Sequence, residues 1–164
     1  MKKIGLLSDT HGYWDAKYET YFSSCDEIWH AGDIGSLAVA ANLEAIKPLR
    51  AVYGNIDGQP LRQQFPKTLH FKVEDVNIMM THIGGYPGRY EPAIRKELYE
   101  TRPQIFVAGH SHILKVIYDK NLKCLHINPG AAGKYGFQAV RTLIRFTIDG
   151  KEIKDLEVIE LTGD

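Results

Sequence analysis

The segment Lys3-Ile-Gly-Leu-Leu-Ser-Asp9-Thr-His11 begins with an apolar run of strand length and ends on an aspartate and a histidine. The same pattern recurs in four later segments: Glu27-Ile-Trp-His-Ala-Gly32-Asp33, Leu49-Arg-Ala-Val-Tyr-Gly54-Asn55, Val76-Asn-Ile-Met-Met-Thr-His82 and Ile105-Phe-Val-Ala-Gly109-His110-Ser-His112. Apolar runs rich in Ile and Val are typical of buried strands. Because ligands collect outside the carboxyl ends of strands in open α/β sheets, one layer of strands is predicted to bring these polar side chains to a single rim.

The order of elements predicts an α/β fold. Strands at 3–8, 27–31 and 49–53 alternate with helices near 15–24 and 36–46, which is typical of parallel strands joined by crossover helices. The second half contains more hairpins: strands 67–74 and 76–82, helix 91–101, strand 104–108, and the hairpins 113–119 with 122–127 and 139–148 with 152–160. We expect a parallel layer and a hairpin-rich layer to pack face to face, with helices outside, in a single domain over residues 1–164.

Composition excludes several classes of protein. Twenty basic residues balance twenty acidic ones over 164 residues, so no net charge attracts nucleic acid or an anionic membrane. No apolar stretch approaches the roughly 20 residues that a membrane span needs. Cys25 and Cys124 lack zinc-site spacing, and we expect two buried packing residues in a reducing, cytoplasmic protein.

The polar residues at the strand ends form a set of metal ligands without thiolate. Asp9 and His11 are two residues apart, so in extended backbone they point the same way, and His110 and His112 repeat this spacing. Oxygen and imidazole ligands favour Mn, Fe, Zn or Ni. Two such ions about 3.5–4 Å apart, sharing one carboxylate, could clamp a phosphoryl group and lower the pKa of a bridging water. The resulting hydroxide would attack phosphorus in line with the leaving oxygen.

These blocks resemble the signature series of the calcineurin-like metallophosphoesterases, in particular their small bacterial and archaeal phosphodiesterase branch. The resemblance runs from Asp-x-His through Gly-Asp, Gly-Asn-x-Asp and His to Gly-His-Ser-His, and spans nearly the whole chain. It implies a four-layer αββα sandwich of two mixed β-sheets with a dinuclear metal site at the strand carboxyl ends. One ion would be held by Asp9, His11, Asp33 and His112, and the other by Asp33 as the bridge, Asn55, His82 and His110.

The resemblance also implies an activity. The chain would be a metal-dependent phosphodiesterase acting on a phosphodiester or a small nucleotide-like ester, with Asp9, Asp33 and Asn55 as catalytic residues. Manganese is the metal expected first, with nickel, iron and zinc as alternatives.

One residue departs from the family pattern. Many relatives carry a histidine directly after the Asn of the Gly-Asn block, and it is taken to protonate the leaving group. Here that position is Ile56, which cannot donate a proton. General acid catalysis contributes about 10²–10⁴-fold. We therefore expect a preference for phosphodiesters with acidic leaving groups over alkyl phosphomonoesters.

Two other functions stay open at this point. The retromer scaffold subunit shares the expected fold and is regarded as a protein-binding module, so a metal-stabilised binding domain is one alternative. A phosphomonoesterase is the other, whereas no Lys/Arg stripe supports a nuclease. A homo-oligomer is also open, with Tyr18 and Tyr21 as candidate exposed aromatics.

Several residues near the blocks have two interpretations each. His30 is either a structural histidine or a hydrogen-bond partner of a ligand. Asp57 either orients Asn55 or caps the stretch that follows it. Tyr13 and Trp14 either stack on a substrate ring or pack in a loop. Arg89 lies in a segment, 84–90, that is either a substrate loop or a solvated hairpin.

Overall fold

The computed structural model describes residues 1–161. The first half contains three strands and three helices: β1 (Lys2–Leu7), α1 (Ala16–Phe22), β2 (Glu27–His30), α2 (Leu37–Ile46), β3 (Leu49–Ala51) and α3 (Gln59–Gln64). The second half contains nine strands and one helix: β4 (Thr68–Val73), β5 (Val76–Thr81), β6 (Gly85–Tyr86), β7 (Arg89–Tyr90), α4 (Pro92–Thr101), β8 (Ile105–Val107), β9 (Lys115–Asp119), β10 (Cys124–Asn128), β11 (Arg141–Asp149) and β12 (Glu152–Leu161). Each predicted strand and helix is present, with ends displaced by at most two residues.

Two five-stranded sheets form the centre of the fold. The first has the order β12-β11-β1-β2-β3 and the second the order β4-β5-β8-β10-β9. In the first sheet β1, β2 and β3 are parallel, and β11 pairs antiparallel with β1. In the second sheet β5, β8 and β10 are parallel, and β4 and β9 are antiparallel edges. Both sheets are therefore mixed.

The expectation of one parallel and one hairpin-rich layer is thus wrong in detail. The last hairpin does not join the other hairpins but returns to the first sheet beside β1. The reason lies in β11, whose residues are almost all buried, including Leu143, Ile144, Phe146 and Ile148. A strand that is buried on both faces needs cover on both sides, and the interior of the first sheet provides it.

The core between the sheets is built by alternation along the strands. Ile4 and Trp29 of the first sheet pack in one cluster with Ile78, Met80 and Val107 of the second. The opposite faces carry the helices, because residues on either side of an inward-facing one point away from it. Two further apolar clusters join the helices to the sheets. One, below α1 and α2, includes Leu7, Tyr18, Phe22 and Leu43, and the other, below α4, includes Met79, Ile94, Leu98 and Phe106. The four layers are helix, sheet, sheet and helix, which confirms the αββα sandwich.

The helices begin at residues that satisfy free backbone N–H groups. The Ser36 side chain accepts a hydrogen bond from the Val39 N–H at 3.3 Å, as its position before α2 predicts, and Asp15 accepts from the Lys17 N–H at 2.9 Å at the start of α1. Helix α3 was not predicted, because it is only six residues long and buries Leu61 alone. None of the helices within residues 1–161 is long and apolar enough to cross a membrane.

Two aromatic predictions have clear outcomes. Tyr18 is fully buried, and its hydroxyl donates to the Ala132 carbonyl at 2.9 Å, so it is a core residue and not an exposed interface candidate. Tyr21 is half-buried beneath the Arg145 guanidinium. The segment 84–90 forms the small β6–β7 hairpin.

Candidate dinuclear metal centre

All seven candidate ligands lie just beyond the carboxyl ends of five strands. Asp9 and His11 follow β1, Asp33 follows β2, and Asn55 comes after β3. The remaining three come from the other sheet, where His82 follows β5 and the pair His110 and His112 follows β8. The prediction of a single layer is therefore wrong. The rim is shared by two sheets, whose parallel central strands end at the same edge of the sandwich.

The backbone of these loops is not extended, contrary to the sequence argument for paired side chains. Asp9, His11, His110 and His112 have φ values of 55°, 46°, 71° and 63°. Positive φ is uncommon for residues other than glycine, and such residues cluster at functional sites. Asp9 and His11 nevertheless lie in the same group of ligand atoms, as their spacing predicts, whereas His110 and His112 belong to two different groups.

One group consists of Asp9, His11 and His112, and the other of Asp33, His82 and His110, with the ligand atoms of each group within 4.8 Å of one another. The Asp33 Oδ2 atom lies 3.4 Å from His11 Nε2 and 3.1 Å from His82 Nε2. A single carboxylate oxygen therefore faces both groups, which is the position of a bridging ligand. This partition agrees with the one that the family resemblance implies.

His82 shows why a cation fits between these atoms. Its Nδ1 lies 2.7 Å from the Ala31 carbonyl, which can only accept, so Nδ1 carries the proton. In the neutral ring, Nε2 is then an acceptor that faces an acceptor oxygen of Asp33. Asp9 Oδ1, His11 Nε2 and His82 Nε2 are buried and have no hydrogen-bond partner within residues 1–161. Buried polar atoms without partners are costly, and metal ions held by the two groups would satisfy all three.

His112 is oriented in the same way by a residue outside the predicted set. The Gln138 Nε2 atom donates to the carbonyls of Gly133 and Tyr135 at 3.0 and 2.9 Å, so its Oε1 is the acceptor for His112 Nδ1 at 3.1 Å. The His112 Nε2 atom consequently presents its lone pair to Asp9 Oδ1 at 3.2 Å. Hydrogen bonds of this kind set the tautomer of metal-binding histidines.

Each aspartate has one oxygen held by the protein and one left free. Asp9 Oδ2 accepts from the Ser8 hydroxyl at 2.6 Å and from the His110 N–H at 3.1 Å. Asp33 Oδ1 accepts from the Ile56 N–H at 3.1 Å. Burial opposes the ionisation of Asp9, but the side chains of His11, His112 and His82, when they carry a proton on Nε2, and the Ser8 hydroxyl outweigh it and hold the pKa of Asp9 well below its usual range. Asp9 is therefore a carboxylate that is ready to bind a cation.

Asn55 lies at the exposed side of the second group. Its Oδ1 is 3.1 Å from His110 Nδ1, and both side chains are exposed. The neighbouring Ile56 is 48% exposed, so the side chain that follows Asn55 is accessible but cannot donate a proton.

Only glycine fits at positions 32 and 54, directly before Asp33 and Asn55, because a Cβ atom there would clash with neighbouring atoms. A Cβ at Gly54 would lie 2.1 Å from Asp33 Oδ1, and a Cβ at Gly32 would lie 2.6 Å from His82 Nδ1. Glycine at these two positions therefore allows the backbone to approach the crowded centre.

Two polar residues, Asp57 and Asn128, support the rim in ways that the sequence analysis left open. The Asp57 carboxylate accepts from the N–H groups of Ile34, Gly35 and Gly54, so it ties two ligand loops together and contacts neither the Asn55 side chain nor a helix cap. The Asn128 Nδ2 atom donates to the Gly109 carbonyl and the Ser111 hydroxyl, and thereby holds the loop that carries both C-terminal histidines. Asn128 begins the Asn-Pro-Gly segment in which the family resemblance ends, but that resemblance assigned it no role.

The remaining alternatives are also decided by contacts. His30 is fully buried, its Nδ1 accepts from the Gly32 N–H at 3.0 Å, and burial lowers its pKa to about 4, so it is a structural histidine. Trp14 is half-buried and packs edge-on against Tyr18 of the core, whereas Tyr13 lies under the cations of Lys134 and Arg141. Arg89 is exposed on β7.

Comparisons with known proteins agree with this geometry. A sequence profile of the calcineurin-like phosphoesterase superfamily domain matches residues 1–151. A protein of Methanothermobacter thermautotrophicus named "Probable metallophosphoesterase" is 26% identical over 164 residues, which cover 95% of this chain and 91% of that protein.

Two solved structures share the fold. One is a Streptococcus pneumoniae protein described as a conserved uncharacterized, predicted phosphoesterase, with a TM-score of 0.71, 22% identity, and coverage of 97% of this chain and 89% of that one. The other is Vps29 of Entamoeba histolytica in complex with Zn²⁺, with a TM-score of 0.75, 14% identity, and coverage of 97% and 98%.

The superfamily depends on a dinuclear metal centre, and the rim described above offers two groups of ligand atoms around one shared carboxylate oxygen. Fold, ligand geometry and the profile match across most of the chain lead to one conclusion: this chain belongs to the calcineurin-like phosphoesterase superfamily.

Proposed function

We propose that this phosphoesterase domain is a dinuclear-metal-dependent phosphodiesterase that hydrolyses a small, nucleotide-like phosphodiester. The single observation that carries the proposal is the arrangement around Asp33, where one carboxylate oxygen faces His11 Nε2 and His82 Nε2 at 3.4 and 3.1 Å. Such an arrangement suits two ions that share a bridge, with Asp9 and His112 completing the first group and Asn55 and His110 the second.

The chain's own residues prepare this site. When bound, two divalent ions would supply an activated water for attack on phosphorus and stabilise the charge of the phosphoryl group. Asp9 and Asp33 hold the site's negative charge and are themselves oriented by Ser8 and the Ile56 N–H. His82 and His112 present Nε2 lone pairs because Ala31 and Gln138 fix their Nδ1 protons. The ligands are all nitrogen and oxygen atoms, so manganese is the metal we propose first, with nickel, iron or zinc as alternatives.

The leaving group receives no proton from residue 56. Ile56 offers only its backbone N–H, which is already donated to Asp33. We therefore propose that esters whose leaving group departs as a stable anion, such as aryl phosphodiesters, are hydrolysed faster than alkyl phosphomonoesters. A higher kcat/KM for an alkyl monoester than for an aryl diester would refute this preference.

The test uses chelator-stripped protein and bis(4-nitrophenyl) phosphate, with and without added Mn²⁺. We expect turnover only with metal, and its loss in Asp33→Asn, which keeps the shape of the side chain but removes its charge. Lys96→Asn is a suitable control, because Lys96 is 89% exposed on α4 and lies away from the ligand loops. Equal turnover by the wild type and Asp33→Asn, with metal bound in both, would contradict the proposal.

A metal-stabilised protein-binding domain is the second candidate. It is favoured by the exposed apolar side chains on β9 and beside His112, which include Ile113, Val116, Ile117 and Phe137. Stable occupancy by two ions without turnover of any phosphodiester would support this candidate over the phosphodiesterase.

We also propose a reducing compartment, the cytoplasm, as the site of action. Cys25 and Cys124 are free and buried, and burial raises the pKa of the Cys124 thiol to about 12, so both act as small apolar residues.

A further inference from the structure

A cavity of about 310 Å³ opens directly beside the second group of candidate ligands. Asn55 and His82 are among its lining residues, so a molecule held at the metal centre can extend into it. Its apolar wall is made by Ile83, Ala93 and Ile94. Ligand pockets in proteins usually measure about 300–1,000 Å³. The cavity therefore suits one compact group, such as a phosphorylated sugar, and not a folded partner.

Two cations line this cavity, and one of them is already fixed in place. The Arg62 Nε atom donates to the Asp57 carbonyl at 2.6 Å and Nη2 donates to the Asn55 carbonyl at 3.3 Å. The guanidinium also lies 4.6 Å above the Tyr53 ring. The partners in these contacts are all neutral, so no ion pair offsets the positive charge of Arg62. Its Nη1 hydrogens have no acceptor within residues 1–161.

The second cation is Lys67, at the entry to β4. Its side chain is exposed and has no ion pair within residues 1–161, while its carbonyl is anchored by the Thr81 hydroxyl at 3.3 Å. A fork-shaped guanidinium and an ammonium together match the geometry and the double negative charge of a terminal phosphate better than a single carboxylate charge.

Glu91 is the acidic residue of the cavity wall, and its position is informative. It also lines a separate depression beside His110 and Ser111, so it stands between the two spaces. Arg62 and Lys67 line only the first space. Both positive charges thus belong to the first space alone, and Glu91 can accept a hydrogen bond from a sugar hydroxyl.

We propose that Arg62 and Lys67 form a phosphate subsite, so that the preferred substrate carries a terminal phosphate one sugar away from the scissile phosphodiester. This inference rests on the proposed phosphodiesterase activity and specifies its substrate class. An ester of a nucleoside bisphosphate is the simplest molecule of this kind.

Paired substrates with the same scissile bond test the proposal. Thymidine 5′-(4-nitrophenyl phosphate) is compared with its 3′-phosphorylated form, and thymidine 3′-(4-nitrophenyl phosphate) with its 5′-phosphorylated form, on the Mn²⁺-loaded protein. We expect the added phosphate to raise kcat/KM in at least one pair by about 10- to 100-fold, the effect of one or two charged hydrogen bonds. Lys67→Gln should remove that gain without lowering kcat/KM for the unphosphorylated ester, and Arg62→Gln should remove the gain as well.

The control is Lys96→Gln, which makes the same change of charge on α4 outside the cavity. Equal kcat/KM within both pairs, or an equal loss for both members of a pair in Lys67→Gln, would overturn the subsite. Arg62 also supports the Asn55 loop, so Arg62→Gln can fail to fold. In that case the result for Lys67→Gln alone decides the test.

A binding measurement separates this inference from the proposed function. Calorimetric titration with thymidine 3′,5′-bisphosphate and with thymidine 5′-monophosphate requires no turnover. Tighter binding of the bisphosphate, lost in Lys67→Gln, supports the subsite even if neither ester is hydrolysed. Hydrolysis of the unphosphorylated esters with equal affinity for both nucleotides would leave the phosphodiesterase standing and the subsite refuted.

Discussion

Replacing Gly54 by alanine should damage the metal centre through space alone. The new Cβ would lie 2.1 Å from Asp33 Oδ1 and 2.3 Å from the Asp33 backbone nitrogen, whereas real Cβ contacts essentially never fall below 3.0 Å. The φ angle at Gly54 is not in the left-handed region, so alanine adds no backbone strain there. The Asp33 loop and the Gly54 loop must therefore separate by about 1 Å, which moves the proposed bridging carboxylate.

We expect Gly54→Ala to lower both the stability of the fold and the activity of the enzyme. Overpacking of a close contact costs about 1–3 kcal/mol in the free energy of unfolding. A misplacement of about 1 Å in an active site can lower activity about 100-fold. The first effect is measured by urea denaturation of metal-free protein, and the second by kcat/KM for bis(4-nitrophenyl) phosphate at saturating Mn²⁺.

Gly58→Ala is the matched control, since its new Cβ would meet only Pro60 Cδ at 3.9 Å. Gly58 is the N-cap of α3, where glycine is preferred over alanine, so a small loss of at most about 1 kcal/mol is expected, with activity retained. If Gly54→Ala matched Gly58→Ala in both stability and activity, the steric reasoning about the Asp33 loop would be refuted.

Two further predictions concern residues around the first group. Gln138→Met removes the acceptor that fixes the His112 Nδ1 proton, so metal affinity measured by calorimetry should fall about 10- to 100-fold. Gln138→Glu keeps an acceptor and should bind metal more tightly than Gln138→Met. Equal metal affinity in the wild type and both variants would show that Gln138 does not orient His112. Asp15→Asn keeps the cap of α1 but loses the charge that pairs with Arg141 Nη2 at 2.7 Å. Burial opposes ionisation of Asp15, but Arg141 and the Lys17 N–H outweigh it and lower its pKa, so the ion pair stabilises the fold above the unfolded pKa of about 4 and its contribution is lost as pH falls through the lower folded value. Urea denaturation should show a cost for Asp15→Asn of about 1–2 kcal/mol at pH 7 that shrinks below about pH 4, and a cost independent of pH would contradict the ion pair.

The sequence predicts the elements well and the sheet arrangement less well. The apolar runs of β1, β5 and β8 predict strands correctly, because these strands are buried on both faces. Which sheet receives the last hairpin depends on how completely β11 is buried, and burial is a property of the packed fold. The short helix α3 has one buried residue, too few for a detectable helical period.

For the site, chemical identity is easier to predict than orientation. The strand ends point to Asp9, Asp33 and the histidines because parallel strands bring their carboxyl ends together. The left-handed turns at His110 and His112 are not visible in the sequence, so the direction of each side chain is not predictable from a spacing of two. Gln138 was missed for a similar reason, since its contact with His112 joins residues that are distant in sequence.

The central claim is that two metal ions share Asp33, and metal stoichiometry tests it most directly. Chelator-stripped protein is dialysed against Mn²⁺, and bound metal is counted by elemental analysis and by calorimetry. The account predicts two ions per chain in the wild type, and one or none in Asp33→Asn at the same free metal concentration. A wild type that binds at most one ion, or an Asp33→Asn variant that binds two with unchanged affinity, would contradict it.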